Sequence, residues 1–125
     1  MLTKILYLSA GGAAGTVSRY WLSGIAQRLG NGAFPLGTFT VNMLGCLLFG
    51  AIWGIFESRL LPGSEIRLLV LTGFMGAFTT FSTYMFETAE LVKFGQLALA
   101  LLNVVGQSLA GLIIVLAGIA LGRLL

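Results

Sequence analysis

The sequence predicts an all-α integral membrane fold of four transmembrane helices, the third broken near its middle. Three observations carry that expectation. Of 125 residues 58% are hydrophobic and 9% charged, with mean hydropathy +1.01, whereas a soluble domain carries about 25% charged residues to cover a water-facing surface. Long apolar segments alternate with short, turn-rich breaks along the whole chain. The third segment, where a spanning helix should be most regular, instead holds Gly73, Gly76 and a run of hydroxyls and rings from Thr79 to Tyr84.

The first segment runs roughly over residues 3–29. Lys4 followed by Ile5 to Ala10 has a superficial likeness to an export signal. The apolar character continues through Trp21, however, with no polar domain to export, so the segment reads as a span. Gly30-Asn31-Gly32 and Pro35 supply the turn. The second segment covers roughly 37–58 and stops at Arg59 and the Pro62-Gly63 dipeptide. The third, roughly 64–94, opens on Ser64 as a helix cap with Arg67 in its first turn. It exceeds the ~20 residues that a bilayer requires, which favours an interrupted helix. The fourth covers roughly 96–124, and the four together make one transmembrane domain over 1–125. Glycine weakens a helix by roughly 1 kcal/mol relative to alanine, and threonines crowd it further, so the break is expected within the stretch Gly73 to Tyr84, at Gly76 to Thr79.

The charges exclude whole classes of function. A formal net charge of +3 is spread along the chain without a basic run, which gives no support for nucleic-acid binding. Histidine and aspartate are both absent, which removes zinc hydrolases, histidine-ligated haem and carboxylate–histidine catalysis. Nothing pairs a nucleophile with a base, so the chain reads as a non-enzyme. Cys46, the single cysteine, reads as a small buried hydrophobe. Four spans put both termini on one side with Lys4, Arg59, Arg67 and Arg123, against Arg28 and Lys93 on the other. The positive-inside rule turns this into a slight bias towards cytoplasmic termini, and both one fixed orientation and insertion in two orientations stay open. The pairs Gly11/Gly15, Gly50/Gly54 and Gly118/Gly122 are spaced for close helix approach and together point to an assembly.

A sparse set of polar groups interrupts the apolar helices. Asn42 lies more than one turn into the second span, and its amide needs partners in hydrocarbon. A helix–helix hydrogen bond and a donor for a hydrated anion are the two readings. Asn103 and Gln107 are four apart on one helical face, with Ser108 beside them and Gly111 continuing that face. Glu87 is the deepest acid, and an intramembrane carboxylate is a functional hypothesis by default. Arg19 is its only comparably placed opposite charge, although Tyr20 and Trp21 beside it also suit an interfacial anchor. Phe81 and Tyr84 share a face, with Phe78 extending the stripe, and the positive edges of such rings attract anions.

These residues bring the chain to a family. Gly11-Gly12 to Arg19-Tyr20, Gly37-Thr38 to Asn42, and Gly73 to Tyr84 with its Thr-Thr-Phe-Ser-Thr-aromatic run resemble the Fluc (CrcB-type) fluoride channels along the whole chain. The resemblance implies an antiparallel, dual-topology homodimer in the cell (inner) membrane, with two fluoride pores. It implies Phe81 and Tyr84 as pore aromatics, Asn42 as the pore asparagine, and Asn103, Gln107 and Gly111 as a polar track. It implies further that Ser82, Thr83, Glu87 and Arg19 lie along the pathway, and that a structural sodium ion is held by the carbonyls of Gly76 and Thr79 from both subunits. Tyr84 departs from the usual phenylalanine by a hydroxyl that must be satisfied, and Gly111 stands where a hydroxyl residue is common.

The function that follows is passive, selective conduction of fluoride out of the cytoplasm. Asn42, Ser82, Thr83, Asn103 and Gln107 are neutral donors able to replace fluoride's water without trapping it. The rival reading is a proton-coupled small multidrug exporter, which needs an embedded acid, typically in its first helix; the first span has none.

Overall fold

The structure, a computed structural model, describes residues 1–30, 32–59 and 64–125, the side chain of Ser64 excepted. The expected turn residues Asn31, Pro62 and Gly63 and the side-chain cap of Ser64 lie outside the described residues. Every regular element described is helical.

Helix α1 spans Leu2–Leu29 and α2 spans Leu36–Ser58. The third rod is composite: α3 (Ser64–Arg67), a π-helical stretch (Leu68–Met75), α4 (Gly76–Phe78), then α5 (Phe81–Lys93) after an interruption. Helix α6 spans Leu97–Leu124. By length and composition, α2, the run Glu65–Lys93 and α6 are long and apolar enough to cross a membrane. Helix α1 has the length, 28 residues, but mixes Lys4, Arg19 and Arg28 into its apolar sequence.

The connections explain where these helices stop. Gln27 of α1 caps α2 from outside: its Oε1 accepts from the Gly37 N–H at 2.9 Å and its Nε2 donates to the Phe34 carbonyl at 3.3 Å. One of the orphan amides at the start of α2 is thereby satisfied without a local capping residue. At the end of α5, the Gln96 N–H reaches the Leu91 carbonyl and the Gly95 N–H reaches that of Val92. Gly95 sits at φ 72°, the left-handed conformation that this Schellman closure requires and that glycine adopts without strain.

Packing divides into two seams. Along one, α1 lies on the π-helical stretch and α4; along the other, α2 lies on α6. Glycines make both seams. A Cβ at Gly11 would stand 2.5 Å from the Leu69 carbonyl oxygen, and one at Gly15 would collide with that of Phe74. In the second seam, Gly50 and Gly54 face the backbone of Val115 and Ile119, while Gly118 and Gly122 face that of Leu47 and Ala51. All three glycine pairs are therefore used between helices of one chain, and the inference from them to an assembly does not hold. Val41, Leu71, Met75 and Phe78 form the buried core where the two seams meet.

The interruption of the third rod falls on Thr79 and Thr80, whose backbones are extended (φ −84°, ψ 159° and φ −147°, ψ 121°). It does not fall on Gly73 or Gly76, which stay helical. Gly73 is used for contact instead, its position lying 3.3 Å from the Cα of Gly11 for an added Cβ. The break also separates Phe78 from the other rings. Phe78 is buried and stacks on Phe74 at 5.7 Å, so it does not extend the Phe81–Tyr84 stripe.

Candidate functional site

An interrupted helix at membrane depth leaves amides and carbonyls that need partners. Asn42 supplies them at this break. Its Nδ2 donates to the Thr80 carbonyl at 3.1 Å, and its Oδ1 accepts from the Thr80 N–H at 2.9 Å. One side-chain amide thus pairs with Thr80 as a neighbouring strand would. The other ends of the break are closed by side chains too. Thr80 Oγ1 accepts from the Thr83 N–H at 3.3 Å, capping α5. Arg19 Nε donates to the Ala77 carbonyl at 3.0 Å, answering an orphan acceptor at the end of α4.

These closures redirect donors. In an unbroken helix the Thr80 N–H would serve the Gly76 carbonyl and the Thr83 N–H would serve that of Thr79. Asn42 and the Thr80 hydroxyl take those two amides instead. The carbonyls that lose their helical donors at the break are those of Gly76, Ala77, Phe78 and Thr79; Arg19 answers Ala77, and Gly76 and Thr79 are the two named by the sodium expectation.

Beyond Asn42 the polar groups continue without a gap. The second hydrogen of Asn42 Nδ2 goes to Gln107 Oε1 at 2.8 Å, and Gln107 Nε2 donates to Asn103 Oδ1 at 2.9 Å. Asn103, 0% exposed, donates from Nδ2 to Thr88 Oγ1 at 2.9 Å, and Thr88 donates to the Tyr84 carbonyl at 2.8 Å. The Tyr84 ring is 6% exposed, and its hydroxyl donates to the Val104 carbonyl of α6 at 3.2 Å. The edge of the Phe81–Tyr84 pair is set by a ring separation of 5.7 Å and an interplanar angle of 63°.

Two cavities flank the break. A groove of about 470 Å³ runs along α2, α5 and α6 and is lined by Asn42, Phe81, Tyr84, Gln107 and Ser108, with Cys46 and Gly111 further along. A second cavity, about 620 Å³, is lined by Arg19, Thr38, Thr83 and Glu87. Thr80 lines both. Glu87 Oε1 accepts from the Thr38 hydroxyl at 2.7 Å, whereas Oε2 is buried with no hydrogen-bond partner among the described residues. Arg19 and Glu87 share this cavity yet form no ion pair; the described salt bridges are Lys93–Glu90 and Arg123–Glu57.

The expected pathway residues therefore gather in two groups around one break. Asn42, Phe81, Tyr84, Gln107 and Ser108 meet in the groove, and Arg19, Thr83 and Glu87 in the second cavity. Asn103 lies behind Gln107 rather than on either wall, and Ser82 is exposed and lines neither. Phe81, 73% exposed in the single chain, presents its ring outward from the groove's rim. Thr38, Thr80 and Thr88 were not among the expected site residues. Thr38 had a sequence signal, since it opens the Gly-Thr-x-x-x-Asn spacing four residues before Asn42 and so shares its helical face. Thr88, four after Tyr84, had only the general tendency of threonine to bond back to the i−4 carbonyl.

Residues 6–119 match the family profile of CrcB-like protein, Camphor Resistance (CrcB). A fluoride-specific ion channel FluC of Maridesulfovibrio salexigens is 58% identical over 122 residues, covering 98% of this chain and 97% of that protein. A protein of the same description from Nitrosococcus oceani is 47% identical over 125 residues, covering both chains completely (100% of each). Another from Nitratidesulfovibrio vulgaris is 49% identical over 123 residues, covering 98% and 99%.

Proposed function

The chain belongs to the CrcB (Fluc) family of fluoride-channel proteins, multi-pass and non-enzymatic, and from that membership we propose that it is a passive, fluoride-selective channel that lets the ion leave the cytoplasm across the inner membrane. The observation that carries this reading is the position of Thr80. It is the residue common to both cavities, and Asn42 holds its backbone in an extended form. An anion crossing from one cavity to the other passes the break itself.

The lining chemistry suits fluoride. The ion is small and strongly hydrated, so its water must be exchanged for close donors that bind it weakly enough to release it. The hydroxyl hydrogens of Ser108 and Thr83 and the second amide hydrogen of Gln107 are neutral donors of that kind, whereas Asn42 and Thr80 can donate to the ion only in exchange for a bond they already make. Ring edges of Phe81 and Tyr84 add a positive electrostatic rim in the apolar part of the groove. A multidrug exporter gains no support, because α1 carries basic residues and no acid.

The same reading extends to an antiparallel homodimer with four spans per subunit and two pores. The exposed Phe81 ring and the exposed Gly76 on one chain suit burial against a second copy. The carbonyls of Gly76 and Thr79, deprived of helical donors, suit a sodium ion shared by the two subunits. Bound there, the ion would supply a fixed positive charge that ties the broken rods together.

Fluoride efflux from proteoliposomes, followed with a fluoride electrode, tests the function. Rapid fluoride release with negligible chloride release is expected; no fluoride flux, or chloride flux of similar size, defeats it.

A further inference from the structure

Arg67 stands near the start of the third rod, and its side chain lies across two rings of α2. The guanidinium carbon is 5.1 Å from the centre of the Phe56 ring and 5.7 Å from that of Trp53. Aromatic faces attract such a cation, and a planar guanidinium keeps its N–H donors at its edges. Among the described residues no carboxylate pairs with it. Glu57 is taken by Arg123 and Glu90 by Lys93, while Glu87 accepts from Thr38 beyond the break. Glu65 is two residues away on the same helix and so faces elsewhere. Asn31 and Leu60 to Gly63 contain no acid.

The cation also sits at headgroup depth. It is the third residue of the run Glu65–Lys93, about 3 Å along the axis from that end. Trp53 lies near the end of α2 at Ser58, and tryptophan and arginine both favour the membrane–water boundary. Trp53 is 40% exposed and Ile66 55% exposed, so the cluster opens to lipid. This end of the bundle holds Lys4, Arg59, Arg67 and Arg123 against Glu57 and Glu65, an excess of positive charge. Neither Arg67 nor its two rings line the cavities at the break.

We propose that Arg67, seated on Trp53 and Phe56, binds the phosphodiester headgroup of an anionic phospholipid. The guanidinium fork matches two phosphate oxygens, and such bidentate, charge-assisted pairs are among the stronger hydrogen bonds. The rings hold the fork beforehand, so less side-chain freedom is lost on binding. The surrounding basic residues favour a headgroup with net negative charge over a zwitterionic one.

Trp53 can report on the lipid beside it once the other tryptophan is removed as Trp21→Phe. The full-length protein is reconstituted in vesicles of dioleoylphosphatidylcholine with a rising share of chain-brominated dioleoylphosphatidylglycerol, and quenching of Trp53 is followed. Vesicles brominated in the phosphatidylcholine instead give the reference curve. A preference of about fivefold for phosphatidylglycerol is expected beside Trp53. Arg67→Gln abolishes it, and Arg67→Lys, which keeps the charge without the fork, recovers only part. Arg59→Gln removes the same charge from the same membrane face and keeps most of the preference. Inorganic phosphate, at ionic strength matched with sodium chloride, leaves the curves unchanged. No preference in the parent protein overturns the proposal, as does full preference in Arg67→Lys. Equal losses in Arg59→Gln and Arg67→Gln mean diffuse surface charge and overturn it too. Displacement by inorganic phosphate makes the free anion the ligand and overturns the lipid assignment.

Discussion

Asn42 of α2 and Thr80, in the break of the third rod, are joined by two opposed hydrogen bonds of 2.9 and 3.1 Å, so that a side chain takes the place of a missing strand. That pairing lets the third rod open inside an apolar fold without orphaning its amides. Asn42→Ala removes it and strips a partner from Gln107 as well. A loss of ~1–3 kcal/mol in stability is expected, the cost of leaving such groups unmet. Asn42→Asp keeps the acceptor for the Thr80 N–H but loses both donations, and should not recover it. Thermal unfolding in detergent measures both; an Asn42→Ala protein as stable as wild type would remove the staple role.

Phe81 behaves differently, because in the single chain its ring is mostly uncovered and packs chiefly on the edge of Tyr84. Phe81→Ile is expected to abolish fluoride efflux while the chain still folds, because the ring lies outside the buried core of the single chain. Its elution on a sizing column should match wild type. Efflux at the full rate would make the ring a packing group.

Tyr84→Phe removes only the hydroxyl bound to the Val104 carbonyl. One hydrogen bond of this kind contributes about 1 kcal/mol, so the variant should fold, melt slightly earlier and still conduct fluoride. The comparison to make is efflux rate and melting temperature side by side. Loss of conduction in a fully folded Tyr84→Phe would move the hydroxyl from tethering the ring to serving the ion directly.

The glycine seams give opposite expectations at two positions. A methyl at Gly122 would meet the backbone of Ala51, so Gly122→Ala should cost about 1–3 kcal/mol as α6 is pushed off α2. Nothing lies within 4 Å of a Cβ at Gly12, and Gly12→Ala should be neutral or gain up to about 1 kcal/mol from helix propensity. Melting curves of the two variants, recorded together, check the contrast. Equal effects would mean that close approach is not what these glycines provide.

Much of this arrangement was legible in the residues. Length and apolarity marked the helices, and the Thr79–Tyr84 run marked an interrupted third rod. The four-residue spacing of Asn103 and Gln107 put them on one helical face, where the structure joins them by a direct bond. The position of the break within that rod was harder to read. Glycine invites a break by propensity, but at Gly73 its lack of a side chain is used for contact with α1, and the neighbouring threonines open instead because Asn42 and Thr80 Oγ1 receive the freed amides. Such compensation depends on residues distant in sequence. Phe78 was misjudged for the same reason: a spacing of three places residues on one face only while the helix is continuous. Thr88 gave almost no signal, since its bond from Asn103 exists only once α6 comes alongside.

The seam between α2 and α6 carries a consequence for biogenesis. Helix α2 meets α6 through glycines that press backbone on backbone, yet the ribosome makes the third rod between them. While α1 finds its partner early, α2 must idle in the lipid with a notched, unmated side until α6 emerges. Translation of this chain thus outruns its tertiary closure, and a nascent chain stalled before Gly118 should be the form that membrane quality-control proteases cut.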